Sequence, residues 1–181
     1  MSHHDVRLAE HADIEAIVAL VESAYRGDAS RVGWSSEADL LDGQRIDAGM
    51  LTAALDSPDV RILVLQQAGT IVACCELTRS EVPGLAKLGM FAVDPTSQNG
   101  GLGRRVLAEG ERFVAETWRS DTLQITVIDV RHELIAWYER RGYGGTGEVQ
   151  AFPYGDLRFG IPRRDDLQFA VLEKRLSPAG D

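Results

Sequence analysis

The chain has 181 residues, 44% of them hydrophobic and 26% charged, which is enough for one domain whose core needs neither disulfides nor a metal. Its net charge of −9 argues against a nucleic-acid binder, because phosphate contacts need a basic surface. The same charge is compatible with a cationic substrate, but solubility alone is the better explanation.

Val6 to Leu8 reads as a short strand, and Ile14, Ile17, Val18, Val21 and Tyr25 then share one helical face. Asp13 and Glu15 fall in the first turn of that helix, where negative charge complements the dipole. The loop "RGDASRVGWSSEADLL" leads to weaker helical patterns over Glu37 to Leu41 and Gly49 to Leu55. "VRILVLQQAGTIVACCELTR" is a hairpin turning at Gln67 to Gly69. Its adjacent Cys74 and Cys75 should point to opposite faces as reduced core thiols, which fits a cytoplasmic protein. "AKLGMFAV", Ala86 to Val93, is the next strand, closed by Asp94-Pro95.

A glycine-rich loop then enters a helix buried through Leu102, Val106, Leu107, Phe113 and Val114. "TLQITVIDV" returns as a strand parallel to Ala86 to Val93, since strand, crossover helix and strand form a βαβ unit. A helix over His132 to Arg141 ends at Gly142, a left-handed cap. Strands near Gly147 to Phe152 and Leu167 to Lys174 flank the loop "PYGDLRFGIPRRDD", long enough to be a functional flap or a packed loop. With no repeats or linkers, residues 1–181 read as one domain. No apolar stretch is long enough to cross a bilayer, "MSHHDVRLAE" lacks a signal-peptide layout, and no histidine has metal-ligand spacing. Neither a membrane nor a metal is expected.

Three explanations compete for the glycine loop. A dinucleotide fingerprint would use Gly101 and Gly103, but its third glycine position is Val106 and seven residues separate Val93 from Gly101, where a tight turn is required. A nucleoside-triphosphate loop would need Lys and Ser or Thr after the glycines. An anion site at a helix start uses bare glycines, unpaired first-turn N–H groups and the positive dipole end, with Arg104 and Arg105 as added cations. A plain turn with close helix–sheet contact fits the local residues as well as the anion site does.

"QNGGLG", Gln98 to Gly103, resembles the Q/R-x-x-G-x-G/A signature of the GNAT superfamily of acyl-CoA N-acyltransferases. "LIAWYERRGY", Leu134 to Tyr143, resembles that family's second motif, an aliphatic-x-x-aromatic-Tyr-Glu helix end. The order of elements is similar over nearly the whole chain. The resemblance implies an α/β (α+β) fold with a mixed, mostly antiparallel central sheet, a splayed parallel strand pair and flanking helices. It also implies acetyl-CoA as co-substrate. Gln98, Asn99, Gly100, Gly101, Leu102, Gly103 and Arg104 would bind its pyrophosphate, and the main chain of Phe91, Ala92 and Val93 would pair with the pantetheine arm. Tyr138 would lie beside the sulfur and donate a proton to the departing thiolate, while Trp137 and Tyr143 pack. The family commonly has Asn seven residues before that tyrosine. Here the position is Arg131, which could reach Asp129 or Glu133.

The general base has no fixed family position. Glu76, Glu133 and Asp129 lie near the expected cleft, with Glu76 and Glu133 ranked first. Tyr25, Trp34 and Glu37, with Phe152, Tyr154 and Phe159 from the tail loop, would wall the acceptor pocket, and Glu37 would suit an ammonium group. The expected reaction is direct attack by a primary amine of a small molecule or peptide in a ternary complex. The alternative is a CoA-binding sensor with little chemistry. Oligomeric state is left open, a homodimer included.

Overall fold

The computed structural model describes residues 4–26, 37–97 and 100–177, apart from the side chain of His4. In chain order the elements are β1 (His4–Leu8), α1 (Ile14–Tyr25), β2 (Leu41–Asp42), α2 (Ala48–Asp56), β3 (Val60–Gln67), β4 (Thr70–Arg79) and β5 (Leu85–Val93). There follow α3 (Leu102–Thr117), β6 (Thr122–Ile128), α4 (His132–Glu139), β7 (Gly144–Ala151), β8 (Ile161–Pro162) and β9 (Gln168–Arg175). Seven strands form one sheet in the order β1-β3-β4-β5-β6-β9-β7, and β2 pairs with β8 beside it. The β3–β4 hairpin turns on Ala68 and Gly69, both at positive φ, the left-handed geometry that matches strand twist.

The pattern over Glu37 to Leu41 is not a helix. Leu40 and Leu41 donate their N–H groups to Glu37 O in a single turn, and Leu41 then pairs with Pro162. A strand partner 121 residues along the chain prevails over weak local propensity there. Among the described residues, no helix is long and apolar enough to cross a membrane.

Two features of β5 create the opening that matters. Its parallel pairing with β6 runs only from Leu85 opposite Thr122 to Leu88 opposite Ile125. Beyond that point β5 follows β4 and β6 follows β9, so the sheet splits. At the same place β5 bulges. Cys74 faces Ala92 and Glu76 faces Gly89, so Met90 and Phe91 together oppose Cys75. Met90 sits at φ +40, in a region that costs a non-glycine residue about 1–3 kcal/mol and recurs at functional sites.

The bulge shifts the alternation of side chains. Phe91 and Val93 join the core under α3 and α4, while Met90 and Ala92 join the core under α1 and α2. Cys75 and Cys74 divide between the same two cores, and both are free thiols. Helix α3 lies close on β4 because Gly110 has no side chain: a Cβ there would stand 3.4 Å from Cys75 Sγ.

Candidate active site

A cavity of about 160 Å³ occupies the split, lined on one strand by Leu88 to Phe91 and on the other by Ile125 to Ile128. It passes through the sheet. Tyr25, Glu37 and Arg45 reach it from the α1 side, and Arg131, Leu134 and Tyr138 from α4. Phe152, Phe159 and Phe169 close the wall toward the tail loop.

Tyr138 is 4% exposed, its ring 6.1 Å from Phe91, 5.0 Å from Trp137 and 5.6 Å from Tyr143. Burial pushes its phenol well above the usual tyrosine value, aided by nearby Tyr25 and opposed by Arg131. At neutral pH the resting side chain is therefore protonated and available as a donor. Trp137 and Tyr143 do pack. Arg141 stacks 3.5 Å over the Trp137 ring, and Tyr143 donates its hydroxyl to Glu111.

Tyr25 is also buried, its pKa pushed up to about 12 by desolvation, and its hydroxyl donates to Phe91 O. This bond ties α1 to the bulge.

The glycine turn lies at the start of α3. Gly101 is its N-cap at φ 74 and ψ 9, and as a glycine it puts no side-chain acceptor of its own on the first-turn N–H groups. A Cβ on Gly101 would stand 3.3 Å from Arg104 Nη2, so the guanidinium folds back over the turn. Leu102 and Gly103 are buried. Gln98, Asn99 and Trp34 lie outside the described residues.

The three carboxylates fare differently. Glu76, on β4, faces Gly89, where a Cβ would be 3.6 Å from Glu76 Oε1. Glu76 itself does not line the cavity; Gly89, which does, stands between them without a side chain. Burial raises the Glu76 pKa, partly opposed by Arg45. Glu133 stands exposed in the first turn of α4 and does not line the cavity. Asp129 also lies outside the lining and accepts from Gln168 N–H.

Glu37 is 8% exposed and held between two arginines: Arg26 Nη1 at 2.7 Å from Oε2, and Arg131 Nη1 at 3.2 Å from Oε1. Arg131 thus bonds a carboxylate 94 residues away rather than Asp129 or Glu133. An anion already shared by two guanidiniums is a poor ammonium site, which corrects the role expected of Glu37. Tyr154 is corrected too. It is 44% exposed, absent from the lining, and accepts the Leu167 N–H at 2.7 Å, so it pins the tail loop.

A family model for the acetyltransferase (GNAT) family matches residues 15–143. The chain belongs to that family. Among GNAT proteins it is 29% identical over 155 residues to the IAA acetyltransferase of Azospirillum brasilense, covering 83% of this chain and 91% of that one. It is 29% identical over 135 residues to the mycothiol acetyltransferase of Salinispora tropica, covering 73% of this chain but 41% of the longer relative. The ribosomal-protein-S18-alanine N-acetyltransferase from Escherichia coli shares the fold at TM-score 0.70 and 19% identity, over 99% of this chain and 97% of that one. The mostly antiparallel sheet with one parallel pair and flanking helices is the GNAT fold.

Three contributors were missed in the sequence: the Met90 bulge, Arg45, and the bond from Tyr25 to Phe91. Gly89 inside a strand was an available signal for the bulge. Nothing local marks "GQRID" as a cavity wall.

Proposed function

We propose that this GNAT protein is an acetyl-CoA-dependent N-acetyltransferase that acylates a primary amine by direct attack in a ternary complex. The observation that carries this reading is the split itself: the bulged strand and buried Tyr138 line one cavity, and the same strand leads on to the glycine turn at the start of α3. The residues present fit the co-substrate. Bare Gly101, the first-turn N–H groups of α3 and the folded-back Arg104 suit a pyrophosphate, with Gly100, Leu102 and Gly103 beside them; Gln98 and Asn99 are assigned to the same ligand on the motif alone. The main chain of Phe91, Ala92 and Val93, which follows the last β5–β6 pair at Leu88 and Ile125, suits an extended pantetheine arm.

When bound, acetyl-CoA supplies a thioester whose thiol is the leaving group. Tyr138, kept protonated by burial, donates to the sulfur as it departs. Glu76, its pKa raised by desolvation, takes the proton lost by the amine, working through the gap at Gly89. Tyr25 holds the Phe91 carbonyl, and with it the bulge that orients the neighbouring N–H groups. A cavity of about 160 Å³ behind aromatic walls favours a small acceptor over a polypeptide. No metal enters the mechanism, and the buried reduced thiols fit a cytoplasmic setting.

The test follows thiol release from acetyl-CoA across a panel of small amines, with CoA binding measured by calorimetry. Amine-dependent release supports the transferase. Binding without release anywhere in the panel would instead make the protein a CoA-binding sensor.

A further inference from the structure

The cavity carries a positive excess, opposite in sign to the −9 of the whole chain. Two guanidiniums, Arg45 and Arg131, line it with one carboxylate, Glu37, while Glu76 lies outside the lining, near enough to Arg45 for their charges to interact. Glu37 is consumed by Arg26 and Arg131. Arg45 lines the cavity with no carboxylate in ion-pair contact among the described residues. Its guanidinium carbon lies instead 5.3 Å from the centre of the Tyr25 ring.

That cation is held in place by the fold. Glu22 of α1 accepts the backbone N–H groups of both Arg45 and Ile46, the latter at 2.8 Å. Ile46 beside it is buried at 6% exposure, and stacking on Tyr25 limits the side chain further. An ordered guanidinium with free donors facing a partly desolvated cavity is a carboxylate receptor, because its planar fork matches two carboxylate oxygens.

Position supplies the second half of the argument. The ring that carries Arg45 on its face carries Phe91 O on its hydroxyl. The bulged strand and the guanidinium are therefore separated by one phenol ring. An amine reacting at the bulge would place a carboxylate only a few bonds away on Arg45, and Leu41, Phe152 and Phe159 leave an apolar wall for the rest of the molecule.

Building on the transferase reading, we propose that the acceptor is an amino carboxylate with an apolar body, and that Arg45 is the specificity-determining residue that binds its carboxylate. Arg45 takes no part in bond making; it fixes the amine relative to the thioester.

The experiment compares apolar amino acids with their carboxamides in two ways: kcat/KM with acetyl-CoA, and calorimetric binding to the CoA-saturated protein. The expected preference for the carboxylate is about 10- to 100-fold, as for one charge-assisted hydrogen-bond pair. R45Q collapses that ratio toward one, while R45K, which keeps the charge but not the fork, retains part of it. Equal use of acid and amide by the wild type, or a ratio unchanged in R45Q, overturns the proposal and leaves the transferase standing. Failure of every amine to release thiol overturns the transferase reading. In that case carboxylate-selective binding lost in R45Q still upholds the anion site, and equal or absent binding of acid and amide removes it.

Discussion

One half of the candidate site, the bulged strand, the glycine turn and the helix of Tyr138, comes from one stretch, residues 89–143, whereas the remaining cavity walls are gathered from Tyr25, Glu37, Arg45, Phe152 and Phe159. The first half is made of backbone: a left-handed glycine, a bulge, a helix start and a strand edge. The second is made of charges and rings brought together over long sequence separations, such as the 94 residues between Glu37 and Arg131. Backbone devices have narrow residue requirements and leave local patterns. Long-range ion pairs leave none, so the first half should be intolerant of shape changes and the second of charge changes.

The largest effect should come from E37A. It removes the carboxylate shared by two arginines whose side chains are 7% and 8% exposed, and breaking a buried pair from one side costs about 3–5 kcal/mol. Urea unfolding would show it as a lower midpoint with an unchanged slope. A loss below about 1 kcal/mol would mean that this half is solvated and behaves like surface.

In the other half, G101V puts a branched side chain at φ 74 and against Arg104. It should cost about 1–3 kcal/mol of stability and weaken CoA binding at least about tenfold, equal to 1.4 kcal/mol. Calorimetry of CoA binding checks this. Undiminished affinity would make the turn mere architecture.

E76Q sits where the halves meet. The folded-state pKa of Glu76 is raised by burial, so the folded protein holds its proton more tightly than the unfolded chain does. Its contribution to stability is therefore greatest at low pH and is lost as pH rises through the folded value. Replacing it with a neutral amide should leave neutral-pH stability equal or higher while kcat falls. In the wild type, the acid limb of kcat/KM should turn above the ordinary carboxylate value of 4.5. A limb unchanged in E76Q would take Glu76 out of the base role.

Smallest in expected effect is G89A. Its methyl would reach 3.6 Å from Glu76 Oε1, ordinary contact, so stability should barely change and kcat should fall a few-fold. A fully wild-type rate would show that the path from Glu76 does not run past this residue.

How much could be read in advance follows the same division. The hairpin, the crossover pair and the Gly142 cap were legible because alternation, loop length and a positive φ constrain residues locally. The helix start at Gly101 and the helix that brings Tyr138 to the cavity wall were legible through two short motifs. The charge of the whole chain says nothing of the cavity, which is lined by Arg45, Arg131 and Glu37, since net charge averages over a surface the substrate never meets. Glu37 looked like an ammonium site only because its two arginine partners were invisible in the sequence. Glu133 looked central by its place in the chain, but the helix turns it to solvent.

The most direct measurement of the central claim is single-turnover thiol release from acetyl-CoA by Y138F beside the wild type, with CoA affinity measured on both. Loss of a proton donor at the departing sulfur predicts a rate lower by about 10²-fold with CoA affinity unchanged. An unchanged rate, or a loss of CoA binding equal to the loss of rate, would contradict it.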